Sequence, residues 1–309
     1  MTEIININRN KRESALSSEQ VEKLYQEAEK EMEAVRPKME DFYDDFPLTR
    51  VLADVNKTVA LEEVWATEGV ENRNAKKKAT LAEYALYKYL ATWSHGKINA
   101  KIPSKFDDFV KGIDLILEFP EAEHQDNRHH ALSIDVVLGS DEKFIEKLMI
   151  VKFLIDDGTL KHGPRYFRAD QGKPFSGFMP QGIVSLSREA VESIFTKEQE
   201  GNTKGIEESI VPYVVAVQLL EQYAGFEVYA RSVGQHAIAD RYKEAHNDLE
   251  DATSHLMAEL AFNKKMNDVV ESVPAIRNTR IFFKELASGQ YLEDAKKILE
   301  DEKKYAKAA

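Results

Sequence analysis

Apolar and polar residues follow a helical period at both ends of the chain. In each end region, apolar positions recur every three or four residues, which predicts amphipathic helices. The first helix is predicted to begin at Ser17 or Ser18, because Gln20 is placed to complete a capping box there. From about residue 206 onward the chain is predicted to be helical again, with an interruption at Gly234 and a charged, alanine-rich tail.

The middle of the chain has shorter apolar runs that predict strands. Four runs are rich in β-branched and aromatic residues and are bounded by turn-forming residues: 112–119, 130–138, 164–168 and 183–187. Helices are predicted before and between them, at about 75–94, 141–155 and 188–197. The second of the four runs is apolar at almost every position, which is typical of a strand covered on both faces.

This order of elements predicts a mixed α/β or α+β fold. We expect a small mixed sheet of about four strands flanked by helices, with helical N- and C-terminal segments. Turn-rich stretches at 71–74 and 199–205 indicate boundaries between three segments. These are an N-terminal helical segment at 1–72, an α/β core at 73–198 and a C-terminal helical region at 206–309.

Each of the first two predicted strands contains one aspartate among apolar residues. Asp114 and Asp135 are 21 residues apart, so one hairpin can bring them side by side. An ionised carboxylate in such surroundings is unfavourable unless it is paired or holds a metal ion, and two together favour a divalent-cation site. Glu83, on the preceding helix, is a third candidate, since it stands alone in a basic stretch. The alternative for either aspartate is a turn cap or an ion pair with a nearby Lys or Arg.

The charge is distributed unevenly along the chain. The formal net charge is −12, with 54 Asp and Glu residues against 42 Lys and Arg. Between Arg73 and Lys111, however, nine basic residues stand against three acidic ones. A basic island next to the aspartate strands suits an approach path for a phosphate backbone. The candidate nucleic-acid-binding residues are Lys76, Lys77, Lys78, Lys105, Arg165 and Arg168. The alternative is a solvated, lysine-rich helix start and loop.

The composition excludes several other chemistries. The chain has no cysteine, which rules out disulfides, thiolate catalysis and cysteine-ligated zinc. No apolar run approaches the roughly 20 residues that a membrane-spanning helix needs. The first twelve residues lack the apolar stretch of a secretory signal. We therefore expect a cytoplasmic protein without a membrane partner. The sequence also has no Walker-type, dinucleotide-binding or serine-hydrolase motif.

The arrangement of Glu83, Asp114 and Asp135 on a helix and two strands resembles the PD-(D/E)XK nuclease superfamily, which includes Holliday-junction resolvases and many restriction endonucleases. Members share a helix with a glutamate, a strand with an aspartate, and a strand with an Asp/Glu-x-Lys triplet, followed by a helix and another strand. The resemblance covers roughly residues 75–170 and extends to uncharacterised bacterial proteins with similar Gly-Ile-Asp-Leu and Ile-Asp-Val strands. It implies that the three carboxylates bind Mg²⁺ or Mn²⁺ and that the protein hydrolyses phosphodiester bonds in DNA, or less commonly RNA.

The chain departs from the superfamily pattern at one residue. Val137 stands where the triplet has its lysine. The following helix offers Lys143, Lys147 and Lys152, and we expect Lys147 to complete the catalytic set. Without a replacement the core would keep its fold with weak catalysis or none. The alternative function is therefore a non-catalytic helical interaction or structural protein with a degenerate nuclease-like core. Its helical ends are candidates for contacts with a second copy or with another protein.

Overall fold

A four-stranded mixed sheet lies at the centre of the chain, between helices from both ends. In the computed structural model the described residues are 16–120, 122, 129–159, 163–169, 175 and 177–288. Within them the fold is mixed α+β, with helical segments before and after the sheet. The fold class predicted from the sequence is confirmed.

The N-terminal segment is helical. Its elements are α1 (Ser18–Val35), a short 3-10 helix (Met39–Phe42) and α2 (Leu48–Ala66), and α3 (Val70–Trp93) follows them. α1 begins as predicted. The Gln20 N–H donates to Ser17 Oγ at 3.1 Å, and the Ser17 N–H donates to Gln20 Oε1 at 2.8 Å. This reciprocal capping box satisfies two amides that would otherwise have no partner at the helix start.

α3 begins about five residues before the predicted position. Gly69 is its N-cap residue, so residues 71–74, which we predicted to be a turn and a boundary, lie in the first turns of the helix. The polar side chains there are exposed. A surface helix tolerates polar residues on its outer side, and these residues therefore do not end the helix.

The sheet is built by residues 99–186. Its elements are β1 (Asn99–Lys101), α4 (Lys105–Lys111), β2 (Leu115–Glu118), β3 (Ala131–Leu138), α5 (Asp141–Asp156) and β4 (Gln181–Leu186). The strand order is β1-β2-β3-β4. β2 runs antiparallel to both β1 and β3, whereas β4 runs parallel to β3. A parallel pair needs a crossover connection, and α5 is part of that connection.

The predicted strand at 164–168 is wrong. Residues 163–169 form an irregular segment with a single bridge residue, Arg168. The Asp107 carboxylate, which is fully buried in α4, accepts hydrogen bonds from the backbone N–H groups of Arg165 at 2.6 Å and Tyr166 at 2.9 Å. In a sheet these two N–H groups would bind a neighbouring strand. Here they bind the Asp107 side chain, and the segment is therefore attached to α4.

The fourth strand of the sheet is β1, which the sequence did not indicate. It has only three residues, and two of them are polar. Pro103, two residues further on, cannot donate a backbone hydrogen bond and limits its length. Such a short, polar edge strand has no alternating pattern by which it could be predicted.

From residue 188 to residue 288 the chain is helical, as predicted. Its elements are α6 (Arg188–Gln199), α7 (Thr203–Glu207), α8 (Val211–Ser232), α9 (His236–Phe262), α10 (Lys264–Glu271) and α11 (Pro274–Ser288). Gly234, with a φ of 79°, separates α8 from α9 at the predicted interruption. A positive φ of this size favours glycine, which has no Cβ. The predicted charged tail lies outside the described residues.

One continuous hydrophobic core joins all three segments of the chain. It contains Leu24 from α1, Leu86 from α3, Leu117 from β2, Phe144 from α5 and Phe226 from α8, each of them buried. The helices of both ends therefore stabilise the sheet directly, through the burial of apolar surface.

Two glutamines of α8 cover the free edge of β4. Gln222 accepts a hydrogen bond from the Ile183 N–H at 2.8 Å and donates one to the Ile183 carbonyl at 2.7 Å. Gln218, one turn earlier, does the same with Ser185, at 2.9 and 3.0 Å. Both amides are completely buried. The side chains thus satisfy the backbone groups that an edge strand would leave unpaired.

We expect Gln222→Met to destabilise the protein strongly. The substitution keeps the length of the side chain but leaves the N–H and C=O of Ile183 buried without partners, each at a cost of about 1–3 kcal/mol. Chemical denaturation measures the loss in the free energy of unfolding. Gln26→Met, on the exposed side of α1, is the matched control. Equal stability of the two variants would contradict this account of the β4 edge.

Candidate active site

The two aspartates lie beside each other where β2 begins. Leu115, the first residue of β2, is paired with Ile134 of β3, so Asp114 lies just before the strand and close to Asp135. The Asp114 N–H donates to the Ile134 carbonyl at 2.8 Å, which holds Asp114 against β3. The side chains of Asp114 and Asp135 are hydrogen-bonded to each other. The chain between β2 and β3 has therefore brought both carboxyl groups together.

The Asp114 side chain has two hydrogen-bond partners. Its Oδ2 accepts a hydrogen bond from the Val136 N–H at 2.6 Å. Its carboxyl group is also hydrogen-bonded to the Asp135 carboxylate. Burial, followed by the charges of Glu83, Asp135 and Asp108, raises the pKa of Asp114 well above its ordinary value, while the Val136 hydrogen bond opposes this. Burial and the neighbouring carboxylates thus both disfavour the ionised form of Asp114.

Gly112 allows the chain to pass close to the aspartates. It ends α4 in the left-handed region, with a φ of 65°, and leads directly into β2. A Cβ at this position would lie 3.7 Å from Asp135 Oδ2 and 3.9 Å from Lys147 Nζ. The positive φ makes glycine the favoured residue, and its missing side chain leaves space beside the carboxylates.

Lys147 reaches the aspartates from α5. Its Nζ lies 2.7 Å from Asp135 Oδ2, and 37% of its side chain is exposed, against 6% for Asp135. Burial lowers the pKa of Lys147, but the neighbouring Asp135 and Asp114 carboxylates outweigh burial, so the net pKa is raised and the ammonium stays charged. Val137, at the position of the superfamily lysine, is buried in the hydrophobic core. The cation beside Asp135 thus comes from the helix after the strand.

Glu83 projects from α3 towards the same carboxylates. Burial, then the negative charges of Asp108 and Asp135, raises its pKa to about 8, while Arg36 acts in the opposite direction. The pKa of Glu83 rises because burial removes water from the charged form and because like charges lie nearby. The four residues of the predicted catalytic set come from α3, the start of β2, β3 and α5, and electrostatic interactions join them.

Two further residues of the cluster, Asp108 and Arg36, were not predicted. Asp108 lies on α4 and Arg36 just after α1. Arg36 Nη1 lies 3.1 Å from Asp108 Oδ2 and donates to the Pro103 carbonyl at 2.9 Å. Burial raises the pKa of Asp108 to about 6, although the Arg36 guanidinium opposes this shift. The pair joins residues 72 positions apart in the sequence, and no local pattern marks such a contact.

The cluster has more acidic than basic groups. Four carboxyl groups, those of Glu83, Asp108, Asp114 and Asp135, are accompanied by Lys147 and Arg36. Buried carboxylates in excess of their cations must take up protons or another cation. Within the described ranges, no group of three or more His, Asp and Glu side chains is arranged to hold a metal ion as it stands.

The six candidate nucleic-acid-binding residues all have acidic partners. The pairs are Lys76 with Glu68, Lys77 with Glu22, Lys78 with Glu192, Lys105 with Glu62, Arg165 with Asp54, and Arg168 with Asp45. Arg165 also takes part in an internal network, because Tyr166 donates to the same Asp54 oxygen at 2.7 Å. Phosphate contacts by these residues would require exchange of their present partners.

No family model, no curated protein and no solved structure matches this chain. Among the described residues, no helix combines the length and the apolar character needed to cross a membrane. The function is therefore inferred from the geometry and chemistry of the carboxylate cluster.

We expect the stability of the protein to fall between about pH 5 and pH 8 because of Glu83. In the unfolded chain this carboxyl group ionises near 4.5, whereas in the folded protein it keeps its proton to about pH 8. The folded state thus binds more protons in this window, and rising pH favours the unfolded state. Glu83→Gln removes the penalty, so the variant should match the wild type near pH 4.5 and exceed it at pH 8.5 by a few kcal/mol at most, since one pKa unit corresponds to about 1.4 kcal/mol.

Thermal or chemical unfolding of both proteins at several pH values measures this difference. Glu71→Gln, at an exposed position of the same helix, controls for the loss of a surface charge. A stability difference between wild type and Glu83→Gln that does not change with pH would show that Glu83 is ionised throughout.

Proposed function

We propose that the protein is a metal-dependent nuclease-like hydrolase that cleaves phosphodiester bonds, in DNA in the first place and in RNA as the second possibility. The observation that carries the proposal is the juxtaposition of Asp114, Asp135 and Lys147 on one face of the sheet. Two carboxylates and one ammonium group at this spacing are what metal-assisted phosphodiester hydrolysis requires.

The order of elements supports the proposal. Along the chain, α3 with Glu83 is followed by the sheet strands with Asp114 and Asp135, then by α5 and the parallel strand β4. This is the order that the resemblance to the PD-(D/E)XK superfamily implies. Element order alone does not define an activity, because one fold hosts many functions. The side chains of the cluster carry the functional part of the inference.

The donor set suits Mg²⁺ or Mn²⁺. Mg²⁺ is usually bound by one or two protein carboxylates together with waters and substrate phosphates, and the two opposed aspartates provide that number. Asp114 and Asp135 would hold the ion, with Glu83 as a further ligand or as the group that positions water. When bound, the ion would polarise the phosphate and lower the pKa of the attacking water. It would also balance the carboxyl groups of the cluster that exceed its two cations.

The other groups of the site have roles that follow from their positions. Lys147, partly exposed beside Asp135, is placed to stabilise the negative charge that develops on the phosphate oxygens. Glu83, whose pKa is about 8, is able to exchange a proton near neutral pH. The exposed cations of the basic segment 73–111, with Arg168, would guide the nucleic-acid backbone by exchanging their carboxylate partners for phosphates. Exposed ion pairs contribute little to stability, so such an exchange costs little.

A second function is favoured by one specific observation. Every candidate nucleic-acid-binding cation already has an acidic partner within the chain. This pairing is what a non-catalytic interaction or structural protein with a degenerate nuclease-like core would have. The two functions differ in whether the aspartates bind a metal ion and whether cleavage depends on them.

We expect Mg²⁺ and Mn²⁺ to bind the wild-type protein and to bind the Asp114→Asn/Asp135→Asn variant much more weakly. Titration calorimetry measures the affinity, and a cleavage assay on DNA and RNA substrates uses the same samples. Asp240→Asn, an exposed aspartate of α9, is the control for the loss of surface charge. Cleavage that needs the metal ion and both aspartates would support the nuclease. Metal binding without cleavage would favour the degenerate core, and no metal binding by the wild type would refute the proposed site.

We expect Lys147→Met to reduce cleavage by about 100-fold or more without weakening metal binding. The ammonium group is assigned to the transition state, where one lost electrostatic contact typically costs a factor of about 10²–10³. Its removal also frees Asp135 of a competing cation, so the metal affinity should stay equal or increase. Lys143→Met, an exposed position one turn earlier on α5, is the matched control. A parallel loss of metal binding and cleavage would assign Lys147 a purely structural role.

A further inference from the structure

One continuous stretch of the N-terminal segment supplies acidic partners to four candidate nucleic-acid-binding cations. This stretch, residues 45–68, comprises the turn before α2, α2 itself and the two residues after it. Its carboxylates meet cations of three other parts of the chain, which are the segment 163–169, α4 and α3. In chain order the pairs are Asp45 with Arg168, Asp54 with Arg165, Glu62 with Lys105, and Glu68 with Lys76. The four cations are thus neutralised from one place.

Three of these pairs lie at the protein surface. The N···O distances are 2.6 Å for Arg168 and Asp45, 2.8 Å for Lys105 and Glu62, and 3.0 Å for Lys76 and Glu68. The side chains of these three cations are between 37% and 44% exposed. A phosphate group in solution therefore reaches each cation but finds a carboxylate already bound to it. Asp54 and Arg165 are less exposed and share their contact with Tyr166, so this pair also has a structural role.

α2 is attached to the rest of the protein by few buried side chains. Of its 19 residues only Val51 and Thr58 are buried, whereas α8 has thirteen buried residues among 22. The buried apolar contacts of α2 belong to a small cluster with Phe42 and Tyr166, separate from the main core. Elements with few buried contacts open at a lower free energy than the core does. Displacement of the stretch would therefore leave the main core intact.

We propose that residues 45–68 are an autoinhibitory mask over a nucleic-acid-binding surface formed by Lys76, Lys105, Arg165 and Arg168. This inference rests on the proposed function and adds its regulation. The four carboxylates of the mask occupy the places that backbone phosphates take in the bound state. A nucleic acid displaces the mask and pairs with the freed cations.

Attachment to the same chain makes the carboxylates effective competitors. One exposed ion pair contributes about 1 kcal/mol or less, so a phosphate would readily replace an isolated carboxylate. In the mask, however, the backbone holds four carboxylates at their cations, and each is present there at a high effective concentration. A competitor must therefore offer several linked phosphates at once. A nucleic-acid strand does so, whereas inorganic phosphate does not.

The charge of the stretch favours a mask over a recognition helix. The stretch carries five carboxylates, against the two cations Arg50 and Lys57. A helix that contacts a nucleic acid directly needs the opposite balance, because the phosphates repel acidic side chains. After displacement, the same repulsion keeps the stretch away from the bound strand.

Neutralising the mask without changing the cations tests the proposal. The variant is Asp45→Asn/Glu62→Gln/Glu68→Gln, which leaves the structural Asp54 in place. We expect it to bind a short labelled DNA duplex, in EDTA and about 0.1 M salt, at least about tenfold more tightly than the wild type does. The slope of log Kd against log salt concentration should steepen by about two, as for two or three additional phosphate contacts. Fluorescence anisotropy measures both quantities.

The matched control is Asp44→Asn/Glu63→Gln/Glu71→Gln, which removes the same net charge at exposed neighbouring positions. We expect the control to gain much less affinity than the mask variant. Adding Arg168→Gln to the mask variant should reverse part of its gain, whereas Arg168→Gln alone should change the wild-type affinity less than about twofold. Unfolding curves verify that all variants fold. Equal affinities of the mask variant and the control would overturn the proposal, since net charge alone would then explain the gain.

Hydrogen exchange of the wild-type protein is a second measurement and needs no substitution. With saturating duplex we expect the amides of α2 to exchange faster, because the stretch leaves its place, while those of α8 stay protected. Increased protection of α2 would overturn the mask, since the nucleic acid would then lie on this helix.

The mask and the nuclease are tested separately, because binding is measured without a metal ion. A gain in affinity without metal-dependent cleavage would support the mask and remove the nuclease. Metal-dependent cleavage by a protein whose mask variant gains no affinity would support the nuclease and overturn the mask.

Discussion

In the antiparallel pair of β2 and β3, Leu115 lies opposite Ile134, and this one register brings both strand aspartates together. A shift by one residue would turn one of the two carboxylates to the other face of the sheet. The register is fixed by apolar burial, because Ile116 and Leu117 are completely buried on opposite faces. The core of the protein thus determines the geometry of its charged cluster.

The carboxylate cluster contrasts with the free edge of β4. At that edge, Gln218 and Gln222 satisfy the buried backbone groups of Ser185 and Ile183. At the cluster, by contrast, Asp114 and Glu83 keep raised pKa values because burial and neighbouring charges both disfavour their ionised forms. Proteins tend to keep locally unfavourable groups at functional sites, where these groups serve a ligand or a reaction. The contrast therefore favours a functional origin for the cluster.

The sequence contained the information for the central pair but not for the whole cluster. Asp114 and Asp135 were recognisable because a charged residue within an apolar strand is unusual. Lys147 was a candidate because it is one of the few lysines in the helix that follows the second of these strands. The structure places these three together, while their roles in catalysis stay predictions. Arg36 and Asp108 could not be found in this way, because each is an ordinary polar residue in its own segment and only the tertiary fold joins them.

The dependence on tertiary contacts also explains why the strand at 164–168 was predicted wrongly and why β1 was not predicted. The run Pro164–Arg168 has strand-like residues, but the buried Asp107 carboxylate takes its backbone donors. The short strand β1 has no apolar alternation, and it pairs because β2 provides a complementary edge. In both cases a contact from a distant segment overrides the local preference, as is common for β structure.

The charge distribution sets the order in which ligands would bind if the proposed chemistry holds. The candidate cations of the basic segment are paired internally, and the cluster has four carboxyl groups beside Lys147 and Arg36, so an approaching phosphate meets no unbalanced positive surface there. A divalent cation on Asp114 and Asp135 would add positive charge and give the phosphate its principal attraction. Affinity for nucleic acid should therefore be low without the metal ion and should rise with it. A protein that relied on a basic groove would instead bind nucleic acid without the metal and lose affinity mainly with salt.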